Sequence, residues 1–367
     1  MIRAELSIAA IGAGLILVFG VLWDAFETTI LSRRVSRGNR FTTIFYRLTW
    51  PIYRWAARRI PEGNRRENFL TIYGPLSLLL LIALWAAALV VAFALLLWGT
   101  GAAAASGSGG NGFFTSLYMS GTTLFTLGLG DVTPHSTAGR IITVFECGIG
   151  LGFLALMIAY LPVLSQAFSA REGNIALLDA RAGSPPTATE LLRRHGVDHA
   201  AESLIDLLRD WERWSAQLLE SHVSFPVLAF YRSQHDNQSW VAGMTAMLDT
   251  CALILSTNEA PDQRLARQAR LTFAMARHAV ADMCRVLNRR PLRVVADRLS
   301  ATEFGRMVQS LAETGVAIAH ASLAGPVLAE LRAMYEPYVH SLSDFLLMPL
   351  PPWVAAAPPR ENWRTNV

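Results

Sequence analysis

Three long apolar stretches constrain the fold of this chain more than any other feature of its sequence. They cover residues 6–23, 75–98 and 141–167, and only the last of them contains a charged residue, Glu146. About 20 apolar residues in a helix cross the roughly 30 Å hydrocarbon core of a bilayer. The sequence therefore predicts three membrane spans. Because 52% of all residues are hydrophobic and 16% are charged, we expect the rest of the chain to be an aqueous domain.

The distribution of arginine predicts how these spans are oriented. The chain has no lysine, and ten of its 32 basic residues fall between Arg33 and Arg66. Loops rich in basic residues stay on the cytoplasmic side of a membrane. We therefore expect residues 32–69 in the cytoplasm, the N-terminus and residues 99–140 outside, and everything after Phe168 in the cytosol. A cleaved signal peptide at 6–23 would export the arginine loop. Since this loop largely explains the net charge of +4, no nucleic-acid partner is expected.

The first predicted helix, within residues 1–31, ends in two carboxylates, Asp24 and Glu27, on one helical face. Two interpretations stay open: a proton-sensing or interhelical site, or a pair that reaches the headgroups to meet nearby arginines. In the following loop, apolar residues recur at helical spacing from Phe41 to Trp55 while arginines lie off that stripe. This pattern is typical of a helix on the inner leaflet, so membrane lipids are expected partners.

A hexapeptide with glycine at alternate positions, T-L-G-L-G-D at 126–131, lies between the second and third spans. Alternate glycines allow backbone angles closed to other residues, so successive carbonyl oxygens can point the same way. A stack of carbonyls can replace the water shell of an ion. The approach, residues 113–125, is long enough for a short helix, and Pro134 follows the motif. Ion conduction is therefore the leading hypothesis.

The motif in its context, from Thr123 to Asp131 and followed by Pro134, resembles the signature of tetrameric potassium channels of the bacterial type. The resemblance covers about 75–170, within a pore module at 70–170. It implies an outer helix, a pore helix, a filter and an inner helix, with four identical subunits around one pathway in the bacterial inner membrane. It implies passive potassium transport without a cofactor other than the permeating ion.

The resemblance also assigns residue roles. Backbone carbonyls and one hydroxyl, that of Thr126, would bind the ion; the carbonyls belong to Thr126, Leu127, Gly128, Leu129 and Gly130. Asp131 would brace the outer mouth of the filter by hydrogen bonding. Gly150 falls where the family often has a gating hinge in the inner helix.

The sequence departs from the usual family pattern at several positions. Leu129 replaces tyrosine or phenylalanine and cannot donate a phenolic hydrogen bond, and Leu127 replaces valine or isoleucine. Phe125 replaces threonine, while Tyr118 and Met119 replace two tryptophans. Two alternatives to a selective channel therefore stay open: a weakly selective cation pore of the same architecture, or a non-conducting membrane scaffold that presents a helical signalling domain.

A buried charge at Glu146 would be costly without a partner. One hypothesis is that Glu146 bonds Thr122 or Thr123 behind the filter and that its protonation tunes conduction. The alternative is a static hydrogen bond between helices. These three residues are predicted to support the filter in either case.

Residues 171–350 predict an all-α cytosolic domain. Helical periodicity predicts helices at 200–218, 240–255, 265–287, 302–319 and 327–347. Residues 351–367, which are rich in proline, are predicted to be a disordered tail. The fold class is thus an all-α membrane protein with a pore-loop module and an all-α cytosolic domain.

The predicted cytosolic domain carries no recognisable catalytic or nucleotide-binding motif, so its regulatory ligand is not specified and the chain is not expected to be an enzyme. His195 and His199 have metal-binding spacing, but Gly196 interrupts the helix between them and no third ligand follows. No predicted span carries arginine at every third residue, so strong voltage gating is not expected.

Overall fold

The computed structural model describes residues 2–31, 40–105, 112–196, 201–234, 237–256, 263–293, 297–313 and 321–355. Twelve α-helices occur in these ranges, together with two short strands and one 3₁₀ helix at Pro226–Phe230. In chain order the elements are α1 Ile2–Thr29, α2 Phe41–Ala57, α3 Asn64–Gly99, β1 Ala103–Ala105, α4 Phe113–Leu124, β2 Val132–Pro134, α5 Thr137–Ala182, α6 Ala188–Gly196, α7 Ala201–Ser224, α8 Trp240–Ser256, α9 Gln263–Val286, α10 Ala301–Ala312, α11 Ala321–Ala333 and α12 Glu336–Leu346. The protein is an all-α membrane protein, as the sequence predicts.

Helices α1, α3 and α5 are long and apolar enough to cross a membrane. They contain the three predicted apolar stretches, and α3 and α5 extend well beyond them. The chain divides into two compact units, and the division falls within these two long helices. One unit comprises 1–59 and 72–165, and the other comprises 60–71 and 166–367.

The core of the first unit lies along one face of α3. Nine buried residues form it: Val21, Ala25, Leu81, Trp85, Leu89, Phe93, Leu96, Leu124 and Met157. These side chains come from α1, α3, α4 and α5, so the pore-helix segment packs into the same apolar cluster as the spanning helices. This packing holds α4 in place, and α4 in turn supports the loop that follows it.

A two-stranded antiparallel ribbon frames the loop between α3 and α5. Strands β1 and β2 pair so that Ala104 lies opposite Thr133. The amide of His135 also donates to the carbonyl of Ala102 at 3.1 Å. The ribbon therefore ties the two ends of the pore loop together, on either side of α4 and the hexapeptide.

The second unit is a helical domain whose centre is α8. Almost every side chain of α8 is buried, in agreement with its lack of an amphipathic pattern. Helices α7 and α9 instead bury one stripe each, and these stripes include Leu208, Trp211 and Phe273. Trp211 and Trp214 pack against each other, with ring centroids 4.4 Å apart.

One predicted helix, 327–347, is two helices. Helix α11 ends at Ala333, and α12 begins at Glu336 with Pro337 in its first turn. Proline has no amide hydrogen, and its ring would clash with the carbonyl four residues earlier, that of Ala333. The apolar periodicity runs through this break, because both helices pack on the same core.

The prediction of a disordered tail from residue 351 is wrong for its first residues. Pro351 is buried, and Trp353 is fully buried against the guanidinium groups of Arg298 and Arg332. Thr189 donates to the carbonyl of Trp353 at 2.6 Å. Residues 356–367 lie outside the described ranges, as do His199 and the end of the helix predicted at 302–319.

Candidate functional site

The hexapeptide at 126–131 is anchored to the carboxyl end of α4. The carbonyl of Thr122 accepts hydrogen bonds from the amides of Leu127 at 2.7 Å and Gly128 at 3.3 Å. The amide of Thr126 donates to the carbonyl of Thr123 at 3.0 Å. These carbonyls would otherwise lack helical partners at the end of α4. The pore helix and the hexapeptide are thus one hydrogen-bonded structure.

Alternate residues of the hexapeptide have left-handed backbone conformations. Thr126 has φ of 57°, Gly128 of 57° and Gly130 of 80°, while Leu127 and Leu129 are not among the positive-φ residues. A Cβ atom added to either glycine would meet nothing within 4 Å in the single chain. Glycine is therefore required by conformation and not by space, whereas Thr126 adopts a conformation that is costly for a β-branched residue.

Such strain in a residue other than glycine is typical of functional sites. Alternation of handedness is the pattern that lets consecutive carbonyls face one side, as the sequence hypothesis requires. The three apolar side chains of this region stand out from the chain: Phe125, Leu127 and Leu129 are 60%, 63% and 63% exposed.

Asp131 closes the hexapeptide and is held by the pore helix. The phenolic hydroxyl of Tyr118 donates to Asp131 Oδ2 at 2.9 Å. Tyr118 is one of the residues that departs from the usual family pattern. The structure gives this departure a partner, which sequence reasoning did not identify because the contact joins residues 13 positions apart.

Glu146 is fully buried behind α4, and its partner differs from the expected one. The hypothesis named Thr122 or Thr123, but Glu146 Oε1 instead makes a short hydrogen bond with the hydroxyl of Ser120. Thr122 directs its hydroxyl to the carbonyl of Met119 within α4. Ser120 lies one helical turn before Thr123, on the side of α4 that faces the two spans.

The Ser120 hydroxyl also contacts the carbonyl of Val90 on α3, at 2.8 Å. A hydroxyl has one proton and cannot donate to both acceptors at once. If the carboxyl of Glu146 donates to Ser120, the Ser120 hydroxyl is free to donate to Val90 and both contacts are satisfied. Three elements, α3, α4 and α5, therefore meet at Ser120, a residue that sequence reasoning missed.

Gly150 brings the backbone of α5 close to the end of α4. A Cβ atom at this position would lie 2.2 Å from the carbonyl oxygen of Leu124 and 3.0 Å from its carbonyl carbon. At Gly148 and Gly152, in contrast, a Cβ atom would meet nothing within 4 Å. Helix α5 runs without interruption through all three glycines. The geometry thus gives Gly150 a packing role; the hinge role inferred from the resemblance stays a prediction.

No group of three or more histidine, cysteine, aspartate or glutamate side chains is placed to hold a metal ion within the described ranges. His195 directs Nδ1 to the carbonyl of Leu191 at 2.8 Å, at the end of α6. Apart from the carboxylate of Asp131, the polar groups of residues 113–131 are backbone groups and hydroxyls.

Comparison with known proteins agrees with this geometry. Residues 78–164 match a family model described as "Ion channel". This segment begins in α3, includes α4 and the hexapeptide, and ends in α5, so it coincides with the pore module described above. The protein therefore contains an ion-channel domain of the pore-loop class, of the potassium-channel type, with two transmembrane helices.

One relative among curated proteins is the "Uncharacterized membrane protein YdjJ" of Bacillus subtilis (strain 168). It is 29% identical over 140 residues, which are 38% of this chain and 39% of the relative. The chain thus spans about two fifths of the length of that protein. No solved structure matches the chain significantly.

Proposed function

We propose that the chain assembles as a homotetramer and conducts potassium ions selectively and passively through the hexapeptide at 126–131. The observation that carries this proposal is the alternation of left-handed residues at Thr126, Gly128 and Gly130, on a loop anchored to the end of α4. In the proposed filter the carbonyls of residues 126–130 and the hydroxyl of Thr126 replace the water around the ion. Conduction of this kind involves no chemical change in any group of the protein.

The exposed apolar surface of the pore module supports assembly. An apolar cavity of about 750 Å³ opens between α3, α4 and α5 and reaches Phe125 and Thr126. Phe125, Leu127 and Leu129 also lack cover in the single chain. Large exposed apolar patches beside polar backbone indicate interaction sites. Copies of the same chain around a common axis would cover them and close the ring of carbonyls.

The residues that depart from the usual family pattern bear most directly on selectivity for potassium. Leu129 cannot donate the hydrogen bond that a tyrosine would, so the filter must be held in another way. The contacts of Thr122 with the filter amides and of Tyr118 with Asp131 are available for this purpose. If they are insufficient, the same architecture would act as a weakly selective cation pore.

The test is ion flux into liposomes that contain the purified full-length protein. We expect potassium flux to exceed sodium flux and to be blocked by barium. Equal fluxes would favour the weakly selective pore, and the absence of flux under any condition would favour a scaffold.

A matched pair of variants distinguishes the effect of a change in the filter from the effect of backbone strain elsewhere in the chain. Gly128→Ala and Gly101→Ala both place a Cβ on a left-handed residue, with φ of 57° and 63°, and neither Cβ meets a neighbour within 4 Å. Both substitutions cost about 1–2 kcal/mol in the backbone. We expect only Gly128→Ala to alter flux or selectivity; equal effects would contradict the proposed filter.

We further propose that Glu146 supports the filter through Ser120. The side chain of the Glu146→Gln variant can still hydrogen-bond the Ser120 hydroxyl but cannot titrate. If protonation tunes conduction, this variant loses the pH response of the wild type while it keeps conduction. An unaltered pH response and open probability would leave only the static hydrogen bond, whereas Ser120→Ala would disturb conduction in either case.

For topology, we propose that the arginine-rich segment and the C-terminal helical domain are cytoplasmic and that the N-terminus lies outside. The pattern of arginines supports this orientation. Protease treatment of sealed vesicles tests it, because only the domain on the accessible side is digested.

The C-terminal domain is proposed to support assembly or to couple a signal to α5. Arg171 on α5 is buried in this domain and donates to the carbonyls of Leu228 and Tyr231, both at 2.9 Å. The neighbouring Glu172 accepts from the amide of Gln234 at 3.3 Å and from the hydroxyl of Ser233. The end of α5 is therefore part of the domain core, so a displacement within the domain would act directly on the inner helix.

A substitution on the same helix provides the control for this role. Arg181 is exposed, and its guanidinium bonds the carbonyl of Leu177 within α5. We expect Arg171→Met to change open probability or tetramer yield, with selectivity retained, while Arg181→Met changes neither. Deleting everything after Ser184 should have the larger effect of the same kind; unchanged assembly and gating would refute the role.

A further inference from the structure

Helix α2 presents an apolar stripe that is largely exposed in the described part of the chain. Ile44, Leu48, Ile52 and Trp55 follow each other at spacings of four, four and three residues, which places them on one face. Their exposed fractions are 43%, 62%, 69% and 57%. Another face of α2 is packed inward: Phe41 and Phe45 contact the core of the first unit.

Arginines border this stripe, and α2 contains no acidic residue. Arg47 and Arg59 are exposed, and the guanidinium of Arg59 lies 3.5 Å from the ring centroid of Trp55. A tryptophan with a cation above its ring is suited to the headgroup layer, where one side of the pair is apolar and the other is wet. The charge of this surface thus complements an anionic partner.

The position of α2 relative to the first span is set by Asp24. Arg40, the residue before α2, makes no side-chain capping bond. Instead Asp24 Oδ2, near the end of α1, accepts from the amide of Thr42 at 3.1 Å and from its hydroxyl at 2.6 Å. A carboxylate at a helix N-terminus is favoured by the free amides and the helix dipole. Asp24 therefore caps a helix other than its own.

The same carboxylate oxygen accepts from Trp85 Nε1 on α3 at 3.0 Å. Glu27, the second member of the acidic pair, is paired with Arg40 at 3.1 Å. Both sequence interpretations of this pair thus hold in part, since it meets an arginine and joins helices. The start of α2 is consequently fixed at the end of one predicted span and to the side of another.

We propose that α2 is a docking surface for anionic phospholipids in the leaflet next to the end of α1. The stripe of Ile44, Leu48, Ile52 and Trp55 enters the acyl boundary, while Arg47 and Arg59 bind lipid phosphates. Two features of the structure select a bilayer as the occupant: the charge complementarity of the surface, and its continuity with the membrane end of α1 through Asp24. Lipid binding by α2 does not depend on which ion the pore conducts.

The first test measures how deeply α2 lies in the bilayer. A nitroxide label is attached at Leu48→Cys, in full-length protein with Cys147→Ser, because Cys147 is the exposed cysteine of the chain and the other two are buried. A label at Arg209→Cys on the exposed face of α7 is the control. In bilayers that contain phosphatidylglycerol, we expect the Leu48 label to be accessible to oxygen and protected from a water-soluble nickel chelate.

Two results would overturn the proposal. In the first, the Leu48 label would be as accessible to the nickel chelate as the Arg209 label. In the second, the Leu48 label would show dipolar broadening, which would identify a second copy of this chain as the occupant.

The second test measures lipid binding. Full-length protein is purified from vesicles that contain phosphatidylcholine and phosphatidylglycerol, and the retained phosphatidylglycerol is measured as a function of its concentration. Each arginine near an anionic surface contributes about 1 kcal/mol, so Arg47→Gln with Arg59→Gln should weaken binding roughly 30-fold. The control is Arg209→Gln with Arg213→Gln, which removes the same charge from α7. Equal retention by the two double variants would overturn the proposal.

Discussion

Replacement of Gly150 by alanine should disturb the filter and not only the flexibility of α5. A Cβ atom at this position would lie 2.2 Å from the carbonyl oxygen of Leu124, whereas ordinary contact begins at 3.4 Å. The two helices must therefore separate locally by about 1.2 Å, the difference between 3.4 and 2.2 Å. The obstacle is backbone, so no side-chain rotation can relieve it. Overpacking of this kind typically costs about 1–3 kcal/mol.

The separation would act on the filter because Leu124 ends α4 and lies two residues before Thr126. The amides of Leu127 and Gly128 are bonded to the last turn of α4 and must follow any shift of that turn. If about 1.4 kcal/mol of the strain falls on the ion sites, the ratio of potassium to sodium flux changes about tenfold. The assay is the flux ratio in liposomes, with barium block as a second measure of the filter.

The same helix provides two controls. Gly148→Ala and Gly152→Ala make the same chemical change in α5, where a Cβ atom has no neighbour within 4 Å. We expect both to retain the flux ratio of the wild type. If all three variants behave alike, or if Gly150→Ala changes only open probability, the packing argument is refuted and the hinge suggested by the resemblance is favoured.

Three further predictions concern stability and are measured by unfolding of the full-length protein in detergent. Trp353→Ala removes a fully buried ring and should destabilise the C-terminal domain by about 3–5 kcal/mol, whereas Trp353→Phe should cost much less. Burial, with a smaller contribution from Arg171, lowers the pKa of His222 to about 3. Because this pKa lies below the unfolded value of about 6.5, the unfolded chain binds the proton first and stability falls as pH falls from about 6.5 towards 3, by up to about 1.4 kcal/mol for each pH unit. A His222→Gln variant should lose that part of the pH dependence, and an unchanged slope would contradict the assignment. Asp24→Asn leaves one acceptor oxygen for donors on Thr42 and Trp85, so it should cost about 1–3 kcal/mol and loosen α2; Glu5→Gln, at an exposed position of α1, should have no effect.

The spans and the filter loop were predictable because their signals are local. A continuous apolar run specifies a spanning helix, since residues in the hydrocarbon are apolar with few exceptions, such as the hydrogen-bonded Glu146. The alternate glycines at 128 and 130 permit left-handed backbone at their own positions. The amphipathic stripes of α7 and α9 identify the faces that are buried. In each case the residue itself carries the information, so no knowledge of distant contacts is needed.

Several features depend on which distant residues meet. Ser120 rather than Thr122 or Thr123 faces Glu146, because the rotation of α4 about its axis is set by packing in the shared core and not by its own sequence. Trp353 is buried because a pocket between Arg298 and Arg332 receives it, although its own segment has the composition of a disordered tail.

The sequence alone thus determined a membrane protein with three spans, an ion-channel loop and a helical C-terminal domain, because hydropathy, charge and glycine act through the immediate surroundings of each residue. Only the tertiary structure decided the close approach of Gly150 to the end of α4 and the capping of α2 by Asp24. Those contacts join residues separated by 18 or more positions, and their geometry depends on the packing of whole helices, which no local pattern encodes.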